Sequence, residues 1–416
     1  MFAKTNKFKF LLSFTILFCL WGFFLQESVY SNNFLVYVGF LIILFLSIIV
    51  LMTKGQSVSR INKYVFMWLP YLLYTMAALL LQTDVERFSY WFVCFVIILV
   101  AQNEKISGKI PFKLFYYSGI VCLVGMWIQI IFPDFYNAYF LDIFNNSQTI
   151  KNWAQWGYGY AGFTCQLGMT SIILVYFEAY YLYKKQKQNK FLYSVMLLLI
   201  IISIFLTGKR ILSLIAVAAP LVVYVLSDTN INRKRRNIII GAIGIIFCFG
   251  IFLANLETLS TSRVFGRIAN SFLGIQRGDD ISSNRNELSA LALEAFKQSP
   301  AFGVGVNQFR VVTGAYTDVH NSFLQVLCEQ GVIGLLFLLI PMIRCYLKTV
   351  SVLKSNEYIA EKSVLKFSLF IQTVFILYSF TGNTIIDRHC FIIYFVSIGV
   401  LSDFISQKYR KEVNSR

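Results

Sequence analysis

Residues 284–325 read NRNELSALALEAFKQSPAFGVGVNQFRVVTGAYTDVHNSFLQ, a polar stretch in a chain that is 57% hydrophobic and only 14% charged. Soluble domains carry about 25% charged residues, so the sequence around this stretch reads as an all-α polytopic membrane protein. The stretch itself is most of one large loop, residues 255–321, between two apolar runs. Its start carries a helix signature. Asn284 is placed as an N-cap, and Glu287, three residues on, would close a capping box. Leu288, Leu291, Ala292, Ala295 and Phe296 then follow at helical spacing and form one apolar stripe. Pro300, Gly303 and Gly305 end that helix in a turn. His320 and Asn321 arrive immediately before the next apolar run.

Outward from the loop, the chain divides into apolar runs. A membrane-crossing helix needs roughly 20 such residues. Twelve candidate spans fit, near 10–26, 34–52, 65–82, 88–101, 114–132, 161–183, 191–207, 211–227, 238–254, 323–343, 367–382 and 390–405. The expected organisation is therefore 1–254 (spans 1–9), 255–321 (the large loop with its amphipathic helix) and 322–416 (spans 10–12 and a tail). The first run follows Lys4, Lys7 and Lys9 and is followed by no small-residue cleavage site, as in a retained signal anchor.

The net charge of +17 would suggest nucleic acid if its distribution were ignored. Numbering the loops alternately from an inner start puts most Lys and Arg, including KKQKQNK (184–190) and RKRR (233–236), on one side. That is the positive-inside pattern. It expects both termini in the cytoplasm and the 255–321 loop outside, and it leaves no nucleic-acid partner to explain. Anionic inner-leaflet lipids suit the basic face. The eight cysteines are scattered through apolar runs without metal-ligand spacing, as small packing residues would be.

Eleven of the 37 basic residues fall on the expected outer side. Three are lysines (Lys151, Lys209, Lys297) and eight are arginines (Arg87, Arg210, Arg263, Arg267, Arg277, Arg285, Arg310, Arg388). Arginine's planar fork binds phosphate or carboxylate bidentately, so this bias points to an anionic ligand. Pairing with Glu257, Asp279, Asp280 or lipid headgroups is the plainer account of most of them. Two stand out. Arg210 follows Gly208 at a hinge between two spans, and Arg285 opens the loop helix, where free N–H groups already attract anions. His320 is suited to accept a proton near neutral pH; a structural role stays open. Glu329 is either a helix-bundle hydrogen-bond partner or a site acid. His389 follows Asp387 and Arg388 in the last expected outer loop. The aromatics of 133–160, Phe135 to Tyr160, fit an interfacial belt better than a sugar platform.

With these residues in view, the chain resembles the O-antigen ligase and O-antigen/capsule repeat-unit polymerase family. The resemblance rests on the ordered set TGKR (207–210), the block 284–309, HNSFLQVL (320–327) and EQGVIGLL (329–336). It implies a C-class glycosyltransferase-like membrane fold and transfer of a glycan from an undecaprenyl-diphosphate-linked donor to a glycan acceptor. His320, Arg210 and Arg285 would be catalytic, and Lys209, Asn321, Glu329, Arg310 and Arg388 would bind substrate. No metal and no cofactor are expected. Membrane lipids, a flippase and a chain-length regulator are the implied partners, and the bacterial cytoplasmic membrane, active face outward, the implied location. Polymerase is the favoured reading, ligase its alternative. A lipid-linked oligosaccharide flippase or transporter is disfavoured, since no Lys or Arg lies mid-span and no internal repeat is visible.

Overall fold

The computed structural model describes residues 63–82, 124–139, 190–355 and 362–405, apart from short gaps, together with Phe88 and Trp91. The expected spans at 10–26, 34–52 and 161–183 lie outside these residues, as do Lys151, Lys209, Arg388 and His389. Among the described residues all regular structure is helical. In chain order the helices are α1 (Lys63–Phe66), α2 (Leu69–Leu81), α3 (Pro133–Tyr139), α4 (Lys190–Leu206), α5 (Arg210–Ser227) and α6 (Ile231–Ala254). Then follow α7 (Leu256–Ser260), α8 (Gly266–Arg277), α9 (Arg285–Gln298), α10 (Phe309–Thr313), α11 (Ser322–Lys354) and α12 (Lys362–Ser379).

The expected spans at 65–82, 191–207, 211–227, 238–254, 323–343 and 367–382 fall on α2, α4, α5, α6, α11 and α12. Ser322–Lys354 is long and apolar enough to cross a membrane, and Leu69–Leu81, Ile211–Ser227, Ile238–Ala254 and Leu365–Ser379 are shorter apolar helices. The outer faces agree with a lipid solvent. Val332, Leu336, Ile340, Ile343 and Leu347 make an exposed apolar ridge along α11 at spacings of three and four. In α6, Ile239, Ile240, Ile243, Ile246 and Phe247 are exposed. In water such faces would be a liability; in lipid they are the expected surface. The total of twelve spans remains an expectation from the sequence.

The bundle core forms where α5, α11 and α12 pack on one another, with α4 against α5 and α2 against α11. An aromatic knot ties early chain to late chain. Trp68 sits edge-on to Phe395 and Tyr394, with ring centroids 4.9 and 5.5 Å apart, and Trp91 meets Phe391 at 5.2 Å. Each such pair adds about 0.5–1.5 kcal/mol beyond its burial. Between α11 and α12, Gln372 Nε2 donates to Thr349 Oγ1 at 2.9 Å, the kind of polar clasp that joins helices in an apolar medium.

The segment 255–321 builds a second, smaller core on the start of α11. Leu288, Ala292 and Ala295 of α9 are buried with Phe309, Val319 and Cys328, and Leu291 and Phe296 flank them. The expected stripe thus becomes the buried face of α9. The expected cap does not form. Asn284 precedes α9 in the left-handed conformation (φ 64°, ψ 10°) and its side chain makes no capping hydrogen bond. An N-cap side chain reaches the first-turn N–H groups from an extended backbone, which Asn284 lacks, so the Asn284–Glu287 capping box is absent. Separately, Phe272 of α8 packs on Phe249 and Phe252 of α6, 5.7 Å from each.

Candidate active site

The site is built on a break in α11. Gly331 has φ 67° and ψ −169° inside what is otherwise a continuous helix. Only glycine adopts that region without a cost of about 1–3 kcal/mol. A break strands backbone groups on both sides, and each buried group left unmet costs about 1–3 kcal/mol. The Pro300–Gly305 turn meets them. Val304 N donates to Cys328 O and Gly305 N to Glu329 O, both at 2.9 Å. On the other side, Val332 N donates to Pro300 O at 2.9 Å and Ile333 N to Ala301 O at 3.2 Å. Tyr74 of α2 completes the seam, its hydroxyl donating to Gln330 O (3.1 Å) and Phe302 O (3.2 Å). Such close approach leaves no room for side chains. A Cβ on Gly303 would overlap the Glu329–Gln330 peptide, and one on Gly331 would overlap the Ala301–Phe302 peptide. The Gln82 amide then brackets Val306, its nitrogen donating to Val306 O (2.7 Å) and its oxygen accepting from Val306 N (3.1 Å).

From this anchor the chain runs through α10 to His320. Arg310 forks onto Asp318, Nε to Oδ1 at 3.1 Å and Nη2 to Oδ2 at 3.2 Å, and so closes the loop that leads to the histidine. The Arg310 side chain is 49% exposed, so the pair contributes at most about 1 kcal/mol. Val319 is buried in the small core, and its N–H donates to Gln325 Oε1 at 2.9 Å. Gln325 Nε2 donates to Glu329 Oε1 at 2.6 Å, and Phe309 N donates to the same oxygen at 3.4 Å. His320 itself is partly buried and left-handed, with φ 54°. Asn321 is extended (φ −148°, ψ 106°) and caps α11, its Oδ1 accepting from Phe323 N and Leu324 N at 3.1 Å.

The Ser322 end of α11 is pinned to the far part of the chain. Ser322 Oγ donates to Gly382 O at 2.8 Å and lies 3.0 Å from Thr384 Oγ1, while Phe323 packs edge-on against Phe380 at 4.9 Å. The segment leading to Arg388 therefore starts beside Ser322, two residues on from His320 in the chain, although Arg388 lies outside the described residues.

The expected site residues divide accordingly. His320, Asn321, Glu329 and Arg310 belong to one hydrogen-bonded unit. Arg285 is exposed at the first position of α9, which packs on the same unit. Arg210 is the first residue of α5, with its side chain outside the description. Glu329 is buried, 6% exposed, with its carboxylate turned to Gln325 and Phe309 N; of its two sequence readings, this is the hydrogen-bond partner. Asn321 spends its side-chain oxygen on the helix cap. Sequence reasoning missed Gln325, Asp318, Tyr74 and Gln82. The i,i+4 spacing of Gln325 and Glu329 was a signal for the first; Tyr74 and Gln82 carried none.

Chemically, the unit presents an imidazole on a constrained backbone at a helix start, with an exposed guanidinium on a neighbouring helix N-terminus. An imidazole suits proton transfer, and a guanidinium suits an anionic group. No curated protein matches the chain at a significant level. A family model described as O-antigen ligase matches residues 195–339, a segment running from within α4 to the middle of α11 and containing Arg210, Arg285 and His320. Residues 195–339 are thus similar to the O-antigen ligase family.

Proposed function

We propose that this protein polymerises undecaprenyl-diphosphate-linked oligosaccharide repeat units into a surface polysaccharide, O-antigen or capsule. Likeness to the family over residues 195–339 implies glycosyl transfer of the ligase or polymerase type; the donor, the acceptor and the residue roles are our reading. A sugar hydroxyl of the acceptor attacks the anomeric carbon of the donor. The anomeric C–O bond to the diphosphate breaks, and its electron pair leaves with the diphosphate. His320 takes the hydroxyl proton, a role worth about 10²–10⁴-fold. Arg285 and Arg210 hold the diphosphate and balance its growing charge, with Lys209 and Arg388 as further cations for the same ligand. The reaction lies at the outer face of the bacterial cytoplasmic membrane, with both termini in the cytoplasm, as the basic loops argue. Twelve spans and an acceptor delivered by a flippase complete the reading.

The observation that carries it is the position of His320, which the interlocked turn and the capped start of α11 hold on the family-matched segment. His320→Ala, Arg210→Ala and Arg285→Ala are each expected to abolish polymer while membrane levels stay normal. Wild-type product from all three would sink the proposal. Ligase activity, transfer of a finished glycan to lipid A core or another acceptor, is the alternative reading, and both fall within the transfer chemistry of the matching family. A deletion strain separates the two readings. Single-repeat surface glycan means a polymerase, and full-length chains stranded on the lipid carrier mean a ligase.

A further inference from the structure

We infer that Gln325 is a positioning residue for His320 and that Glu329 sets its orientation. The inference rests on the reading of His320 as the base. The Gln325 side chain is 2% exposed and lies between one donor and one acceptor. On one side is the buried N–H of Val319, 2.9 Å from Oε1. On the other is the Glu329 carboxylate, 2.6 Å from Nε2. An amide satisfies both neighbours in one orientation only, oxygen to the N–H and nitrogen to the carboxylate. Glu329 is held in turn by Phe309 N, which donates to the same Oε1 at 3.4 Å. Donation therefore runs from Val319 to Gln325 and from Gln325 to Glu329, where it meets the donation from Phe309 on the same oxygen.

Val319 is the residue before His320, and His320 carries a positive φ of 54°. A histidine there is held by its surroundings rather than by its own preference. On its other side, Asn321 is fixed by the helix cap. The Gln325–Val319 bond is the matching restraint on the near side. Without it the imidazole loses its placement while the cap stays. A displacement of order 1 Å at a reacting group costs about 10²-fold in rate.

The geometry gives a specific test. Gln325→Leu removes the acceptor of the Val319 N–H, and with it the restraint on His320, without altering any atom of His320 itself. Glu329→Leu removes the acceptor that fixes the Gln325 amide, so the amide orientation is no longer set. Glu329→Gln is the conservative variant. Its amide oxygen can take the place of Oε1 and accept from both Phe309 N and Gln325 Nε2, as that one oxygen does now, so the Gln325–Val319 bond stays.

The assay uses the full chain purified in detergent, with lipid-linked repeat unit from a deletion strain as donor and acceptor, and specific activity is taken per folded protein. Gln325→Leu and Glu329→Leu should each lose about 10–100-fold in kcat with KM for the lipid-linked donor within twofold. Glu329→Gln should stay within about threefold of wild type. Wild-type kcat in either leucine variant overturns the inference. So does a Glu329→Gln variant that fails to fold, or folds with kcat below about a tenth of wild type. His320→Ala, measured alongside, separates the two levels. If it retains wild-type rate, the base reading fails; if it is inactive while Gln325→Leu is unimpaired, only the positioning role fails.

Discussion

Replacing Gly331 by alanine tests the interlock on which the candidate site stands. Three costs add. The backbone at φ 67° and ψ −169° is open to glycine almost alone, and forcing another residue into it costs about 1–3 kcal/mol. The new Cβ overlaps the Ala301 carbonyl and the Phe302 nitrogen, so the turn must retreat. Retreat breaks the bonds from Val332 N to Pro300 O and from Ile333 N to Ala301 O. Losing each bond costs about 0.5–1.5 kcal/mol. The sum is roughly 2–6 kcal/mol, against a total stability of about 5–15 kcal/mol for a typical protein. Gly314→Ala is the control. Gly314 also has a positive φ of 68°, but an added Cβ there meets nothing within 4 Å, so only the backbone term of about 1–2 kcal/mol applies. Unfolding of the purified protein by denaturant titration in mixed micelles compares the two. With similar backbone costs in both, Gly331→Ala should be the less stable by the two lost bonds, about 1–3 kcal/mol, and should lose polymer in cells. Two variants of equal stability would refute the interlock.

Tyr74→Phe removes the hydroxyl that donates to Gln330 O and Phe302 O. It should cost about 1–2 kcal/mol in the same titration and leave specific activity within about threefold; no measurable cost would remove α2 from the seam. Arg310→Gln and Asp318→Asn should each cost less than about 1 kcal/mol, as exposed pairs do, and should change product yield equally. A rise in KM for the lipid-linked donor confined to Arg310→Gln would show that Arg310 serves the substrate rather than Asp318.

The two asparagines that precede helices show where reading from sequence ends. Both Asn284 and Asn321 stand before an apolar helical run, and the capping signature with a glutamate three residues on favoured Asn284. The chain does the opposite. Asn321 is extended and bonds two first-turn N–H groups, whereas Asn284 turns left-handed and bonds none of them. Local residue type offers the cap, but the backbone entering the helix decides whether it can be used. The stripe of α9 was legible because Leu288, Ala292 and Ala295 needed only a helix and a partner surface. The turn at Pro300, Gly303 and Gly305 was legible as a turn. Its partner was not. In EQGVIGLL, residue type alone suits Gly331 and Gly334 to close helix packing, and this holds for Gly334, where an added Cβ would lie 3.3 Å from Tyr74 Cε1 of α2. Gly331 instead breaks the helix, because a turn some thirty residues earlier supplies the hydrogen bonds that the broken ladder lacks. Neither half of that exchange has a signal of its own; a stranded carbonyl and a donor that fits it become visible only together.

That exchange also bears on the choice between enzyme and transporter. Transporters that interrupt a membrane helix leave the freed backbone ends facing a substrate or ion site. Here Val304, Gly305, Val332, Ile333 and Tyr74 tie both ends of the interruption to the protein's own chain. The break in α11 is therefore already filled, and its effect is mechanical. It fastens the 299–308 turn to a helix that is otherwise anchored in the bundle core by Leu338, Met342 and Cys345. Everything between the turn and His320 is then held at two points, the seam at Gly331 and the cap at Asn321. A histidine meant only to bind a passing glycan would gain little from so much restraint. A base that must meet a hydroxyl within hydrogen-bonding reach, beside a leaving diphosphate, gains its rate from it.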